Sequence, residues 1–205
     1  MRPERLGASI GRTRRATGVD DVLPLEVVAM PGTIGAALAE AVRISFDDAS
    51  ADWFPPVAAS VDALTPDQAA RPGCDGNAPW QVLDHLRIGF AIWGEFLATG
   101  RFEPARFGGG TEWQPIEAPS PDDWARLRSR TREAEADLRA VLAGLDDNEL
   151  LAADPSLGGM TRLALALSTL AHLGYHAGEL ATLTTASRAA FEAGGMGEVA
   201  GAVTG

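Results

Sequence analysis

The run Pro79 to Gly100, PWQVLDHLRIGFAIWGEFLATG, most limits what this chain can fold into. Val82, Leu83, Leu86, Phe90, Trp93 and Leu97 recur at helical spacing, so the run reads as a helix with one broad apolar stripe. Asn77 followed by Pro79 marks its start, because proline is tolerated in a first helical turn. Gly100 suits the position after its last turn. A stripe ~30 Å long, the length of about 20 helical residues, has to be covered by another element. No segment alternates as a strand does, so the cover must be other helices.

Three further segments supply them. From Thr33, TIGAALAEAVRISFDDASADW reads as a helix capped by Thr33 that must kink or restart at Pro55-Pro56 before VAASVDAL, with TPDQ at Thr65 a cap or turn. Ser120-Pro121-Asp122-Asp123 combines a cap, a first-turn proline and two acids at the positive end of a helix dipole. The helix it opens runs to about Leu145, with Leu127, Ala134, Leu138 and Leu142 on its apolar side. Its stretch Arg126 to Arg139 reads as a solvated charged face. After a second linker, Asp146 to Met160, the last helix starts near Thr161 and reaches about Arg188.

The expectation is an all-α four-helix bundle over residues 33–190, its first helix kinked near 55–56. A flexible N-terminal tail, 1–32, precedes it and a C-terminal tail, 191–205, follows. Antiparallel neighbours need only ~2–8 connecting residues. Residues 101–120 are far more than that, and their length lets the second and third helices run parallel, in up-down-down-up order.

The chain has 205 residues and a net charge of −11, and all 17 basic residues are arginine. Arg2, Arg5, Arg12, Arg14 and Arg15 against Glu4 make the first 15 residues +4, which leaves −15 on the remainder. An acidic body excludes nucleic acid as the main partner, since phosphate binding needs a basic face. No run approaches the ~18–20 apolar residues of a membrane span. No apolar segment follows the first arginines as in a secretory signal. Cys74 is the single cysteine, so no intrachain disulfide forms, and a reduced cytoplasmic setting is expected.

The chain has three histidines, and all lie in apolar helical runs. His172 and His176, in TLAHLGYHAGEL, are four apart and share a helix face, so both rings can address one atom. Alone, the pair fits half of a tetrahedral metal site or, as such pairs more often are, two hydrogen-bonded core histidines. Leu173 stands where the zincin pattern H-E-x-x-H has glutamate. His85 sits among Leu83, Leu86 and Ile88. Imidazoles are costly to bury without partners, and one shared metal ion satisfies all three. At ~1.5 Å per residue, His85 is ~10 Å into its helix and the pair ~17–23 Å into theirs, so an opposed packing brings them together. Three histidines with a fourth position open is the pattern of a catalytic metal site. Such a site suits Zn or Ni first, with Fe or Cu as further choices.

Other residues carry two readings each. Glu179 shares the histidine face and either hydrogen-bonds a ligating ring or faces solvent. Tyr175 is a pocket residue able to donate to a substrate, or an amphipathic core tyrosine. Gly89 and Gly178 allow close helix approach or leave space above a metal. Cys74 is a reactive thiol or a quiet one. Trp80 and Trp93 read as core, and Asp84 and Arg87 point off the His85 face.

Taken together, PWQVLDHL on the second helix and HLGYHAGEL on the fourth resemble the DinB/YfiT-like superfamily of four-helix metalloproteins, over roughly Phe46 to Arg188. The resemblance implies the up-down-down-up bundle and His85, His172 and His176 as metal ligands. It also implies activities such as thiol S-transfer with bacillithiol, mycothiol or glutathione, or mycothiol-dependent maleylpyruvate isomerisation. Many isomerase-type members have glutamate where this chain has His172, which points to the transferase or hydrolase-like branch. The expected function is divalent-metal-dependent transfer of a low-molecular-weight, mycothiol-type thiol to a small electrophile. Hydrolysis at the same site, or non-enzymatic metal or ligand binding, are the alternatives. The expected partners are a small-molecule substrate and a second copy of the chain as a homodimer, with no membrane.

Overall fold

The computed structural model describes residues 32–48, 55–73, 76–101, 113, 115–155 and 158–202, with the backbone alone from 190 to 202. The described residues form helices and no strand: α1 (Ile34–Asp47), α2 (Val57–Asp62), α3 (Pro66–Ala69), α4 (Pro79–Thr99), α5 (Pro121–Gly144), α6 (Asp147–Leu151) and α7 (Arg162–Ala202). The expected N-terminal tail lies, but for residue 32, outside them, as does Cys74.

Local chemistry sets the ends. The Thr33 hydroxyl accepts from Ala36 N at 3.2 Å and caps α1. The Ser120 hydroxyl accepts from Asp123 N at 3.1 Å and caps α5. Gly100 closes α4 in the left-handed region at φ 68°, where a side chain would be strained. α4 is capped by Ala78, not Asn77. Ala78 has no side-chain acceptor, but its N–H donates to Gln81 Oε1 at 2.8 Å, which satisfies one free donor of the first turn.

Two boundaries differ from expectation. The first helix is not one kinked rod through Pro55-Pro56. It ends at Asp47, where Asp48 turns extended, and helix resumes at Val57 behind Pro56 as the separate α2. Proline presets the backbone before a helix but cannot continue one, so a restart replaces the kink. At the other end, α7 passes the expected stop near Arg188 and continues to Ala202. The linker after α5 also holds a short helix, α6. Asp146 and Glu149 close it with a reciprocal capping box.

The core is built from stripes at helical spacing: Leu38, Val42 and Phe46 on α1; Val82, Leu86, Phe90 and Leu97 on α4; Leu138 and Leu142 on α5; Leu173, Leu180 and Leu183 on α7. The ring of Trp80 lies 5.1 Å from that of Trp124, and a Cβ added to Gly94 would stand 3.7 Å from Leu138 Cα. Both contacts keep the same offset in sequence, so α4 and α5 run in the same direction. α7 runs against α4: Arg162 at its start donates to Leu97 O at 3.2 Å, while residues further along α7 meet His85. Trp93 is partly buried against the same core. No helix among the described residues is long and apolar enough to cross a membrane.

The charged stretch of α5 is not wholly solvated. Glu135 is 2% exposed, with Oε1 2.6 Å from Arg139 Nε. Burial pushes its carboxyl above the usual range, and Arg139 opposes that shift only in part. Helical periodicity explains the exception, since Thr131, Glu135 and Leu138 share the buried side.

α1 packs closely on the end of α5. A Cβ on Gly35 would collide with the carbonyl oxygen of Leu142 and stand 2.9 Å from that of Leu145. Gly178, by contrast, has open space where its Cβ would be, so it serves no close approach. Gly35→Ala should lower stability by about 2–3 kcal/mol, because overpacking against backbone exceeds the gain in helix propensity. Urea unfolding of the two proteins measures this, and an unchanged midpoint would contradict the contact.

Candidate metal centre

His85 lies two turns into α4. The fully buried Leu83 and Leu86 beside it fix the rotation of the helix. His172 and His176 lie one turn apart on α7, where buried Leu173, Ala177 and Leu180 do the same. The antiparallel packing of α4 and α7 brings the three rings into one cluster. His172 Nε2 is 3.2 Å from His85 Nε2 and 3.0 Å from His176 Nε2. Nitrogens able to act as ligands in the three rings all lie within 4.8 Å of one another. This is the group among the described residues that could hold a metal ion.

Carboxylate chemistry selects a tautomer. His176 Nδ1 is 2.6 Å from Glu179 Oε2. The carboxylate can only accept, so Nδ1 carries the proton and the Nε2 of the neutral ring presents a bare lone pair. That lone pair faces His172 Nε2, which also faces His85 Nε2. One ring nitrogen cannot serve two such short contacts well with a single proton. A cation accepts three lone pairs at once. Nitrogens at ~2.0–2.1 Å from one tetrahedral ion are ~3.3 Å apart. The observed 3.0 and 3.2 Å lie just inside that spacing. With all three ligand nitrogens within 4.8 Å of one another, the residues could hold a metal ion.

The electrostatics agree. Burial, followed by the neighbouring His176 and His85, pulls the His172 pKa down to about 4, with Glu179 opposing. Burial also lowers His176, against the hydrogen bond and charge of Glu179. Both rings are thus neutral at pH 7, the form that ligates metal.

Surrounding residues complete the site. The Trp113 ring stacks on His85, with centroids 4.8 Å apart and planes 28° apart. Gln81, one turn before His85, holds Trp113 through Nε2–H to its carbonyl at 2.9 Å. Asn77 Nδ2 donates to Glu179 Oε1 at 3.1 Å. Of the two readings for Glu179, the hydrogen bond to a histidine ring is the one found. Tyr175 is no core residue: it is 67% exposed, with its ring 4.9 Å from that of His176 at the rim. Asp84 and Arg87 pair with each other at 2.6 Å, away from the cluster. Trp80 packs on Trp124 instead of the histidines.

Sequence reasoning missed Asn77, Gln81 and Trp113 as neighbours of the site. Gln81 had a usable signal, the glutamine at the third helical position that closes a capping box. Trp113, in a glycine-rich linker, had none.

No curated protein and no solved structure matches the chain. The family model described as DinB superfamily matches residues 57–180. That span is narrower than the stretch carrying the motif resemblance, but it contains His85, His172, His176 and Glu179. It covers more than half of the chain, with all of α4 and the part of α7 that carries His172 and His176, and the chain therefore belongs to the DinB superfamily.

Proposed function

We propose that His85, His172 and His176 bind a divalent metal ion through Nε2, and that the protein transfers a low-molecular-weight thiol to a small electrophile. The observation that carries the metal reading is the convergence of His176 Nε2 and His85 Nε2 on His172 Nε2, at 3.0 and 3.2 Å, with His176 oriented by Glu179. The thiol chemistry is one member of the transferase or hydrolase-like branch that His172 favours, since many isomerase-type members have glutamate at that place. When bound, a divalent cation lowers the pKa of a coordinated thiol and so supplies a strong nucleophile at neutral pH. The chain's own part is to keep His172 and His176 neutral by burial, to aim the rings, and to wall one side with Trp113. In the reaction the sulfur bonds to the electrophilic carbon, the leaving group departs with its electron pair, and the thiol proton passes to solvent. The same reading includes the up-down-down-up order, which the parallel α4 and α5 and the antiparallel α4 and α7 support.

The test is thiol consumption. Protein loaded with Zn(II) or Ni(II) should consume a thiol in the presence of a chloro-nitroaromatic, releasing chloride, and His172→Ala should abolish this. Unchanged turnover in His172→Ala would sink the reading. Bound metal with ester hydrolysis but no thiol loss would favour the hydrolytic alternative. Bound metal with neither reaction would favour a binding protein.

A further inference from the structure

Asn77 sits just before α4, at a place that sequence alone assigns to starting the helix. Its side chain does something else. Ala78 is the cap, and Asn77 reaches across 102 positions of sequence to donate from Nδ2 to Glu179 Oε1 at 3.1 Å. Its backbone carbonyl accepts from Gly73 N at 2.7 Å, which ties Asn77 itself to the chain before it. Glu179 is 10% exposed at its side chain, and its second oxygen takes the His176 Nδ1 proton at 2.6 Å. Asn77, Glu179 and His176 thus form a file of hydrogen bonds ending at the Nε2 that faces His172. A glutamate has three side-chain torsions, and one hydrogen bond leaves its carboxylate free to swing. Holding both oxygens fixes its plane, and with it the ring it orients.

We propose that Asn77 is a positioning residue of the metal centre: by holding Glu179, it keeps His176 with Nδ1 protonated and Nε2 aimed at the ion. The proposal rests on the metal reading given above. It also means that the loop launching α4, the helix of His85, is tied to α7, the helix of His172 and His176. The two halves of the triad are then held in register from outside the triad itself.

A double-mutant cycle in the full chain tests this. Asn77→Ala, Glu179→Ala and the double variant are titrated with Zn(II) and Co(II) against a chromophoric chelator. Removing a group that orients a ligand typically costs about 10–100-fold in affinity, the range expected for Glu179→Ala. Asn77→Ala, one step further out, should cost about 3–10-fold and shift the Co(II) d–d band in the same sense as Glu179→Ala. The double variant should bind as Glu179→Ala alone, because Asn77 acts only through Glu179. Asn77→Asp keeps the shape and replaces the donor with a carboxylate facing Glu179. It should weaken binding at least as much, and it carries the same cycle if the alanine variant does not fold. Wild-type affinity in both Asn77 variants overturns the proposal. So does a double variant weaker than Glu179→Ala by the full Asn77→Ala factor. A wild-type chain that binds neither ion overturns the metal reading and this inference with it. If the wild-type chain binds and the cycle fails, only this inference falls.

Discussion

Replacing His172 with alanine is expected to weaken divalent-metal binding by about 10²- to 10³-fold, while costing the metal-free protein at most about 1 kcal/mol. Four-ligand zinc sites supply about 10–16 kcal/mol, or roughly 3–4 kcal/mol per ligand, and each 1.4 kcal/mol is tenfold. His172 is the hub, since its Nε2 is the nitrogen close to both others, at 3.2 and 3.0 Å. Without metal, its removal relieves crowded nitrogens and opens no large apolar cavity. Calorimetric or chelator-competition titration measures the affinity, and urea unfolding in EDTA measures the apo stability. A binding loss under tenfold, or a large apo destabilisation, would mean that the ring is structural.

The same variant gives a pH test. The folded pKa of His172, about 4, is below the ordinary value of 6.5. Between those values the unfolded chain holds the extra proton, so acid favours unfolding. This contribution to stability is fully present above about pH 6.5 and is lost as pH falls toward 4. Metal-free protein should therefore lose unfolding midpoint from pH 6.5 to pH 4.5, and His172→Ala should lose less. Comparing the two slopes cancels the carboxylates common to both. Equal slopes would remove the case for a buried neutral ring.

Trp124→Ala should be the most destabilising single change, by about 4–5 kcal/mol. The side chain is 2% exposed, its ring packs on Trp80, and its Nε1 donates to the buried carbonyl of Leu64 at 3.1 Å. Truncation opens a cavity and also strands that carbonyl. Against a total stability of about 5–15 kcal/mol, this is a large share, and it corresponds to about 10–20 °C in Tm for a chain of this size. Trp124→Phe keeps most of the packing and loses the hydrogen bond, for about 1–3 kcal/mol. Calorimetry on the three proteins separates the two contributions. An alanine variant no worse than the phenylalanine one would show that packing is not what Trp124 contributes.

The helices were legible because their signals are local. Thr33, Ser120, Pro121 and Gly100 act on neighbours within four residues, and they cap or close helices where expected. The pairing of His172 and His176 is local in the same sense, since one turn of helix puts them on one face. Breaks of pattern were read less well. Pro55-Pro56 left a kink or a restart open, and the chain ends one helix and starts another. The acid Glu135 sat in a charged run that masked its place on the buried side. Asp146 and Glu149 carried a capping-box signal for α6 that was read only as linker.

What the sequence by itself determined is therefore the main helices, their apolar faces and the three histidines on those faces. The tertiary structure alone decided which atoms meet. Gly35 lies against the backbone of Leu142, Trp113 stacks on His85, and Asn77 reaches Glu179 across 102 positions. Periodicity states which side of a helix is buried, but not against what or at what height. Those depend on how side chains from separate helices interlock, and no window of sequence contains both partners.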